Sequence, residues 1–559
     1  MPEATTTRQQ AIDELCAPGQ PYELKATQIR GKSCRVFVNA PLTLRELYAD
    51  NPSDLDFTVY DDERFSFEQV YRSSCALAAA MVDDYDIQKG DRVAIAMRNY
   101  PEWIVTFFAA TSVGAIAVCI NAHWSPAELA NSLAECKPSL IVADRERLNC
   151  LADDAPANAG RRVIRVRAEE NPSVSSADWD EVLSSSANAE MPAVTIDPDD
   201  DATIVFTSGS TGQPKGALSS HRNVIHALLS WELDWAIRVH NGIYHIPEID
   251  HQEGMLLTIP LFHVAGFVAA MLPCLRAQRK IACMYRWDAQ VGVELIEREH
   301  LTALTATAAI TGDFIREANS SKSDISSLLM LGGGGMPRAP HQVREIDELT
   351  EAVIPTTGWG MTELSAIGAS IAGSDYVDRP ASSGHCSAVL DMRIVGDNGE
   401  VLSTGERGEL QVRGTTLFSG YWNRPDATAE AFDGDWFRTG DAAYIDSEGF
   451  VFIVDRIKDL VIRGGENIGC GAVEAALVQH PDVLEASVYA VPDERLGEEV
   501  GATLQVSSKI DEAELRTFLS GKLASFEIPR YFSQQVETLP RIASGKFDKR
   551  KMQAAAIKT

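Results

Sequence analysis

The stretch Phe206-Thr207-Ser208-Gly209-Ser210-Thr211-Gly212-Gln213-Pro214-Lys215-Gly216 sits behind an aspartate run and the short apolar segment Ile204-Val205-Phe206, which reads as a buried strand. Ahead of it lies a helical pattern with its apolar face on Val224, Leu228 and Leu229, and Ser219 and Ser220 are placed to cap that helix. Between strand and helix, Gly209, Gly212 and Gly216 alternate with the hydroxyl residues Thr207, Ser208, Ser210 and Thr211. Glycine tolerates the positive φ that an anion-binding nest of N–H groups needs, and Lys215 adds a positive charge. The Walker pattern does not fit, because Pro214 and not glycine stands five residues after Gly209. Taken alone, the loop is equally compatible with a Gly/Ser surface turn.

Working outward, 559 residues exceed one ordinary core, so two or more domains are expected. A content of 45% hydrophobic and 23% charged residues fits a soluble globular enzyme. The net charge of −30, with no basic stripe, excludes nucleic acid as an expected partner and disfavours anionic lipid. Ten cysteines without a C-x-x-C pair indicate neither a disulfide framework nor a zinc site and suit a reducing, cytoplasmic setting. Met1 to Glu14 has no apolar signal core. Trp103 to Ile120 is uncharged but weakly apolar and divided by Gly114, and is expected as a buried helix followed by a strand, not as a membrane span.

Residues 1 to about 40 show little pattern and are expected to wrap the surface. Ser66-Phe67-Glu68-Gln69 and Ser125-Pro126-Ala127-Glu128 are capping boxes, each opening a helix. The segments 91–97 and 140–143 are strands, and this alternation predicts a doubly wound parallel sheet. Residues 144–200 read mostly as loops around the strand Val163 to Val166, and the histidine-containing stretch 239–254 as a surface insertion. Strands then run into Leu261-Phe262-His263-Val264, into Gly332-Gly333-Gly334-Gly335 and toward Thr357-Gly358-Trp359-Gly360-Met361-Thr362-Glu363. From about 385 short alternating strands predict a small β subdomain holding Thr439-Gly440-Asp441. After Asp455-Arg456-Ile457-Lys458-Asp459 a helix–strand–strand–helix order predicts a compact α+β unit of about 100 residues, ending in Ala543-Ser544-Gly545-Lys546.

These motifs, in this order, resemble those of the adenylate-forming superfamily, which holds the acyl- and aryl-CoA synthetases, luciferases and peptide-synthetase adenylation domains. Within it the chain is most similar to fatty-acyl-CoA synthetases and acid–CoA ligases. The resemblance implies a large N-terminal domain over residues 1–455 and a mobile C-terminal domain over 456–559, with a hinge near Lys458. It implies ATP, Mg²⁺ and CoA as cofactors and co-substrates. Thr207 to Gly212 with Lys215 then form the phosphate loop; Gly333, Gly334, Gly358, Trp359 (where relatives usually have Tyr) and Gly360 surround adenine and acyl group; and His263 lines the acyl pocket. Thr362 falls on the α-phosphate, Glu363 on Mg²⁺, and Asp441 and Arg456 on the ribose. Lys546 is the adenylating lysine, Gly464 and Gly465 border a pantetheine tunnel, and Arg530 meets the CoA phosphates. Glu527, where relatives often have Lys, and Gly469-Cys470-Gly471-Ala472, in place of a Pro/Ser-x-Glu helix start, depart from the family pattern; Cys470 is expected to be structural.

The expected activity is ATP-dependent acyl-CoA synthesis through acyl-AMP, with a medium- or long-chain fatty acid placed ahead of an aryl or ring acid. The alternatives are a free-standing adenylation enzyme that loads a carrier protein and a nucleotide-binding protein without catalysis. The joint presence of Lys215, Glu363, Asp441, Arg456 and Lys546 argues against the last. A homodimer is left open.

Overall fold

Short β-branched runs separated by amphipathic helices build two sheets that face each other. In the first, Arg92–Ala96, Ile116–Cys119, Leu140–Asp144, Val163–Val166 and Asp201–Phe206 run parallel, with Gly216–Ser220 and Gly420–Tyr421 added antiparallel at one edge. In the second, Asp56–Tyr60, Lys280–Cys283, Gly254–Leu257, Ala303–Ala306, Met330–Gly333 and Ile354–Trp359 are parallel neighbours. This is a computed structural model, and it describes residues 7–153, 160–207, 214–244, 248–335, 338–464, 466–541 and 547–556.

The antiparallel strands expected as a β subdomain continue the second sheet through Ala369–Ala372, Gly384–Cys386 and Phe450–Arg456. A separate five-stranded sheet follows, built on the long hairpin Val483–Asp493 with Gly497–Val506 and flanked by the helices Cys470–Leu477 and Glu512–Ser520. The fold is therefore α/β, with a large N-terminal part and a small α+β C-terminal part.

One continuous apolar core fills the space between the two main sheets. Val93, Ile95, Ala117 and Val205 meet it from the first sheet, and Met255, Leu257, Ile281 and Ala303 from the second. The helix Pro101–Ser112 lies in this core, with Trp103, Phe107 and Phe108 buried. It is followed by the strand Ile116–Cys119, the chain turning at Gly114 with φ +71. Among the described residues no helix is long and apolar enough to cross a membrane. Among the described residues no cysteine forms a disulfide.

Both capping boxes form, at Ser66 with Gln69 and at Ser125 with Glu128. Ser220 caps the helix His221–His240 and is itself the last residue of a strand, so the glycine-rich stretch joins two antiparallel strands where a strand-to-helix turn was expected. Three further expectations need correction. The first 40 residues hold the helix Arg8–Leu15 and the hairpin Leu24–Ile29/Lys32–Phe37, seated by Arg8 on buried Asp234 at 2.6 Å and by Arg35 on Asp391 at 2.7 Å. Residues 144–200 carry the helices Arg145–Asp153 and Trp179–Ser185. The strand expected over 328–331 runs from Met330 to Gly333, because pairing with Ala303–Ala306 extends it through the first two glycines.

Two buried histidines couple this fold to pH. The Leu44 N–H donates to His221 Nδ1 at 3.2 Å, which requires that nitrogen to be unprotonated. Burial lowers the pKa of His221 and of His226 to about 4, with Asp200 and Lys89 facing the first and Arg222 and Asp199 the second. Their unfolded values lie near 6.5, so the unfolded chain binds more protons below that pH. The stability these residues contribute is complete above pH ~6.5 and is lost as pH falls toward about 4. Urea melts at pH 5 against pH 7.5 should show a loss on the order of 1–2 kcal/mol per histidine, and a flat profile between pH 7 and 5 would contradict neutral burial.

Candidate functional site

The C-terminal ends of the parallel strands are the natural ligand side of such sheets, and most of the expected site residues that the structure describes gather there. The mouth of the glycine-rich hairpin is closed by the Thr207 N–H donating to Lys215 O at 2.9 Å. Ser208, Gly209, Ser210, Thr211 and Gly212 lie outside the described residues. Lys215 Nζ rests 4.7 Å from the ring centroid of Tyr421. The Tyr421 hydroxyl in turn donates to Glu363 Oε1 at 2.8 Å. Burial, reinforced by the Glu363 charge, pushes the Tyr421 phenol well above its ordinary range, so it remains a donor. Glu363 is only 6% exposed, in the short 3-10 turn Thr362–Leu364, and its carbonyl accepts from the Phe418 N–H at 2.9 Å.

A second cluster stands on the antiparallel continuation of the sheet. Asp441, 2% exposed, receives the Trp359 indole N–H on Oδ2 at 2.8 Å and Arg456 Nε on Oδ1 at 2.7 Å. Arg456 also donates to Thr439 O at 3.0 Å, and the Thr439 hydroxyl accepts the Asp441 N–H at 3.0 Å.

The glycines earn their place by contact. A Cβ on Gly358 would stand 2.9 Å from both Ala369 O and the Trp231 ring, and one on Gly360 would stand 2.3 Å from Ala366 O. Gly334 faces Gly358 O at 3.6 Å from its Cβ position, and the Thr357 hydroxyl donates to Gly333 O at 3.2 Å, so the two glycine segments lie side by side. The Cβ side of Gly333 is filled: Arg338 Nη2 would lie 2.2 Å away. Pairing of the two strands is recorded only as far as Leu331 opposite Pro355. Beyond it the Arg338 guanidinium bridges them, donating to Gly332 O at 3.3 Å and Thr356 O at 3.4 Å.

His263 is the half-buried N-cap of the turn Val264–Gly266, its ring against Phe262 at 4.7 Å. The helix then widens to π geometry over Phe267–Met271, a distortion often found at functional sites. Phe267 packs on Phe107 at 5.0 Å and so ties this segment to the central core.

The remaining expected residues sit on the C-terminal part. Lys458 is exposed in the linker, and Gly464 N–H donates to Leu496 O at 2.8 Å with φ +60. Arg530 already has anionic partners, Asp493 at 3.2 Å and Glu499 at 3.5 Å, the latter shared with Arg463. Burial pushes the Cys470 thiol far up, and its Sγ donates to Asp459 O at 3.1 Å, which makes it an inert structural group. Gly465 and Lys546 lie outside the described residues.

Sequence reasoning missed Tyr421 and Arg338. Arg338 stands in an irregular segment and Tyr421 in a strand of two residues, too short for a periodicity to mark its side chain as turned inward. Only the short edge strand Gly420–Tyr421 reveals the first, and only the missing Cβ of Gly333 the second.

A hairpin lysine, a buried glutamate and an aspartate–arginine pair around facing glycine segments define an enzyme that forms adenylates. Residues 45–422 match the model of the AMP-binding enzymes and residues 472–546 that of the AMP-binding enzyme C-terminal domain. The chain belongs to this adenylate-forming family, and within it to the acid–thiol ligases. It is 33% identical over 467 residues to feruloyl-CoA synthase of an Amycolatopsis species, covering 82% of this chain and 88% of that one. It is 31% identical over 469 residues to the long-chain-fatty-acid–CoA ligase FadD13 of Mycobacterium tuberculosis, covering 82% and 87%. O-succinylbenzoate coenzyme A synthetase (MenE) of Bacillus subtilis, solved with ATP and a magnesium ion, superposes with a TM-score of 0.76 at 24% identity, over 93% of this chain and 100% of that one.

Tyr421→Phe keeps the ring under Lys215 and removes the donor to Glu363. It should lower kcat/KM for acid-dependent ATP–pyrophosphate exchange by about 10- to 100-fold, as expected for a lost hydrogen bond to a charged group, with the fold retained. An unchanged rate would show that Tyr421 only packs. Gly333→Ala places a methyl against Arg338 and 2.9 Å from Ala306 O. The cost should be about 1–3 kcal/mol of stability, and activity should fall with short and long acids alike. Selective loss of long acids would mean that Gly333 opens onto the acyl pocket.

Proposed function

We propose that this chain activates a medium- or long-chain fatty acid as acyl-AMP and transfers the acyl group to CoA. The convergence of Lys215, Tyr421 and Glu363 beside the Asp441–Arg456 pair carries the first half of this reading. In that step a carboxylate oxygen bonds to the α-phosphorus of ATP while the bond to pyrophosphate breaks. Two anions must be brought together, so the site has to neutralise charge and hold the reactants in line. Lys215 and Lys546 supply positive charge, Thr362 a hydroxyl at the α-phosphate, and Asp441 with Arg456 the contacts to the ribose.

Mg²⁺ fits the donor set. Among the described residues no cluster of three or more His, Cys, Asp or Glu could hold a metal ion by itself. A single buried carboxylate, Glu363, suits a hard cation that takes most of its oxygens from water and substrate phosphates. When bound, the ion would neutralise phosphate charge.

In the second step the CoA thiol sulfur attacks the acyl carbon and AMP leaves. The C-terminal part, residues 456–559, turns about Lys458, withdrawing Lys546 and presenting Gly464 and Gly465 beside the thiol. The sequence neighbours of His263 are apolar, among them Phe262, Val264 and Phe267, and this favours an alkyl chain. An aryl acid is the second reading, favoured by the feruloyl-CoA synthase at 33% identity.

The test is pyrophosphate release over a panel of fatty, aryl and short acids, with and without CoA, beside single-turnover formation of acyl-AMP and of thioester from supplied acyl-AMP. Lys546→Ala should slow adenylation by about 10²–10³-fold and spare thioester formation from acyl-AMP. Gly465→Leu should do the reverse by obstructing the pantetheine path. Release of ADP and phosphate would refute adenylation, and equal slowing of both steps by Lys546→Ala would refute the turning of the C-terminal part.

A further inference from the structure

Asn99 joins the two main sheets at their ligand side through its carboxamide. It follows the first-sheet strand Arg92–Ala96 and is 8% exposed. Its Nδ2 donates to Ile259 O at 3.0 Å, and its Oδ1 accepts the Leu261 N–H at 2.8 Å. Both partners belong to the second sheet, on the segment that leads from the strand Gly254–Leu257 to His263. The pairing of that strand with Lys280–Cys283 and with Ala303–Ala306 is recorded only as far as Leu257. Beyond it Leu261 and Phe262 are still buried, and peptide groups there need other partners. A carboxamide offers a donor and an acceptor in one plane, as a neighbouring strand would. Asn99 itself stands on a firm footing, because the Arg98 N–H donates to Asp144 Oδ2 at 3.1 Å and the helix Pro101–Ser112 begins two residues on. A second prong reaches the same segment: Arg98 Nη1 donates to His123 Nε2 at 3.2 Å, and the His123 ring meets Phe262 edge-on at 5.7 Å.

We infer that Asn99 is a positioning residue that fixes the segment 259–263 from the opposite sheet and so sets where His263 stands against the acid. This rests on the reading of His263 as a residue of the acyl pocket. Little slack lies between the anchored peptides and that histidine. The His263 N–H donates to Pro260 O at 3.1 Å, and Gly266 packs so tightly on the same carbonyl that a Cβ there would stand 2.2 Å from it. A shift at Ile259 or Leu261 is therefore passed on to His263 and is not absorbed on the way. The nucleotide contacts of the proposed function lie on other segments, so the loss should fall on the acid and not on ATP.

The experiment is steady-state kinetics of the full chain over a panel of acids, with KM measured separately for ATP and for the acid of highest kcat/KM. Wild type is set beside Asn99→Ala, Asn99→Asp and His263→Ala. Asn99→Ala removes both hydrogen bonds and should raise KM for the acid about tenfold, change the order of preference among acids and leave KM for ATP as it was. Asn99→Asp has the same shape and keeps the acceptor for the Leu261 N–H while losing the donor to Ile259 O. It should move the acid KM in the same direction, and it decides the matter if Asn99→Ala does not fold. Equal rises in both KM values, or a lower melting temperature with both KM values unchanged, would overturn the inference and leave Asn99 as a structural link between the sheets. His263→Ala reports separately on the pocket reading. If it leaves the acid KM and the order of acids alone while the Asn99 variants shift them, the pocket role of His263 falls and the positioning of the segment by Asn99 stands. If it shifts them and the Asn99 variants do not, the inference falls and the pocket role stands.

Discussion

The hydrogen bond from Tyr421 to Glu363 spans the two main sheets, and the geometry of the site depends on it. Tyr421 belongs to the edge strand Gly420–Tyr421, hydrogen-bonded to Ala217 and Leu218 of the first sheet. Glu363 follows the strand Ile354–Trp359 of the second. Their bond at 2.8 Å, with Lys215 stacked on the same phenol, fixes the glycine-rich hairpin of one sheet against the carboxylate of the other. Burial strengthens the arrangement, because a phenol kept protonated cannot become a competing anion beside Glu363. The neighbouring backbone joins in: the Phe418 N–H donates to Glu363 O, and the Ser419 N–H to Leu218 O at 2.7 Å. A site built this way places positive and negative groups before any ligand binds, which is what electrostatic preorganisation demands.

What could be read from the sequence is what has a period or a fixed local chemistry. The capping boxes at Ser66 and Ser125 and the strand Val163–Val166 follow from spacing alone. The uncharged stretch Trp103 to Ile120 resolves into helix and strand because Gly114 supplies a positive φ between them. The elements missed are those whose stability comes from distant contacts. The N-terminal hairpin is held by Arg35 on Asp391 and by the Thr415 hydroxyl donating to Arg35 O, partners over 350 residues away that leave no local trace. The same holds for the helix Trp179–Ser185, whose buried Trp179 and Val182 pack on the central core although its exposed face reads as loop. In the site, the glycine-rich segments and the Thr-Gly-Asp turn are legible as motifs. The inward direction of Arg338 and Tyr421 is not, since neither an irregular segment nor a strand of two residues carries a period that would show it.

The positions where the chain departs from the family pattern show how neighbours absorb a change. Trp359 is wider than a tyrosine and is accommodated by Gly368, whose missing side chain leaves room for the indole. Cys470 stands at a helix start without a side-chain cap, and the orphan N–H of Gly471 is met instead by Asp455 Oδ2 at 3.3 Å. Glu527 turns back to accept the Ala524 N–H at 2.9 Å and serves a local turn. Its neighbour Arg530 is drawn to Asp493 and Glu499, so the proposed CoA phosphate would have to compete with two carboxylates.

The same contacts support Lys458 as the swivel. Arg456 is bound by its side chain to Asp441 and Thr439, and the Ile457 N–H donates to Gly440 O at 2.9 Å, so the N-terminal part holds the chain through Ile457. On the far side, Asp459 O accepts the Cys470 thiol at 3.1 Å and thereby travels with the helix Cys470–Leu477. Lys458 stands exposed between these two anchors. A rotation confined to its φ and ψ would leave the Asp441–Arg456 pair intact in either orientation. It would break the Gly471–Asp455 bond, a contact whose carboxyl pKa burial pushes up and the nearby Lys549 pulls down. Under the proposed function, the contacts of Asp441 and Arg456 to the ribose would stay in place while Lys546 is exchanged for Gly464 and Gly465, so the adenylate need not be released between the two steps.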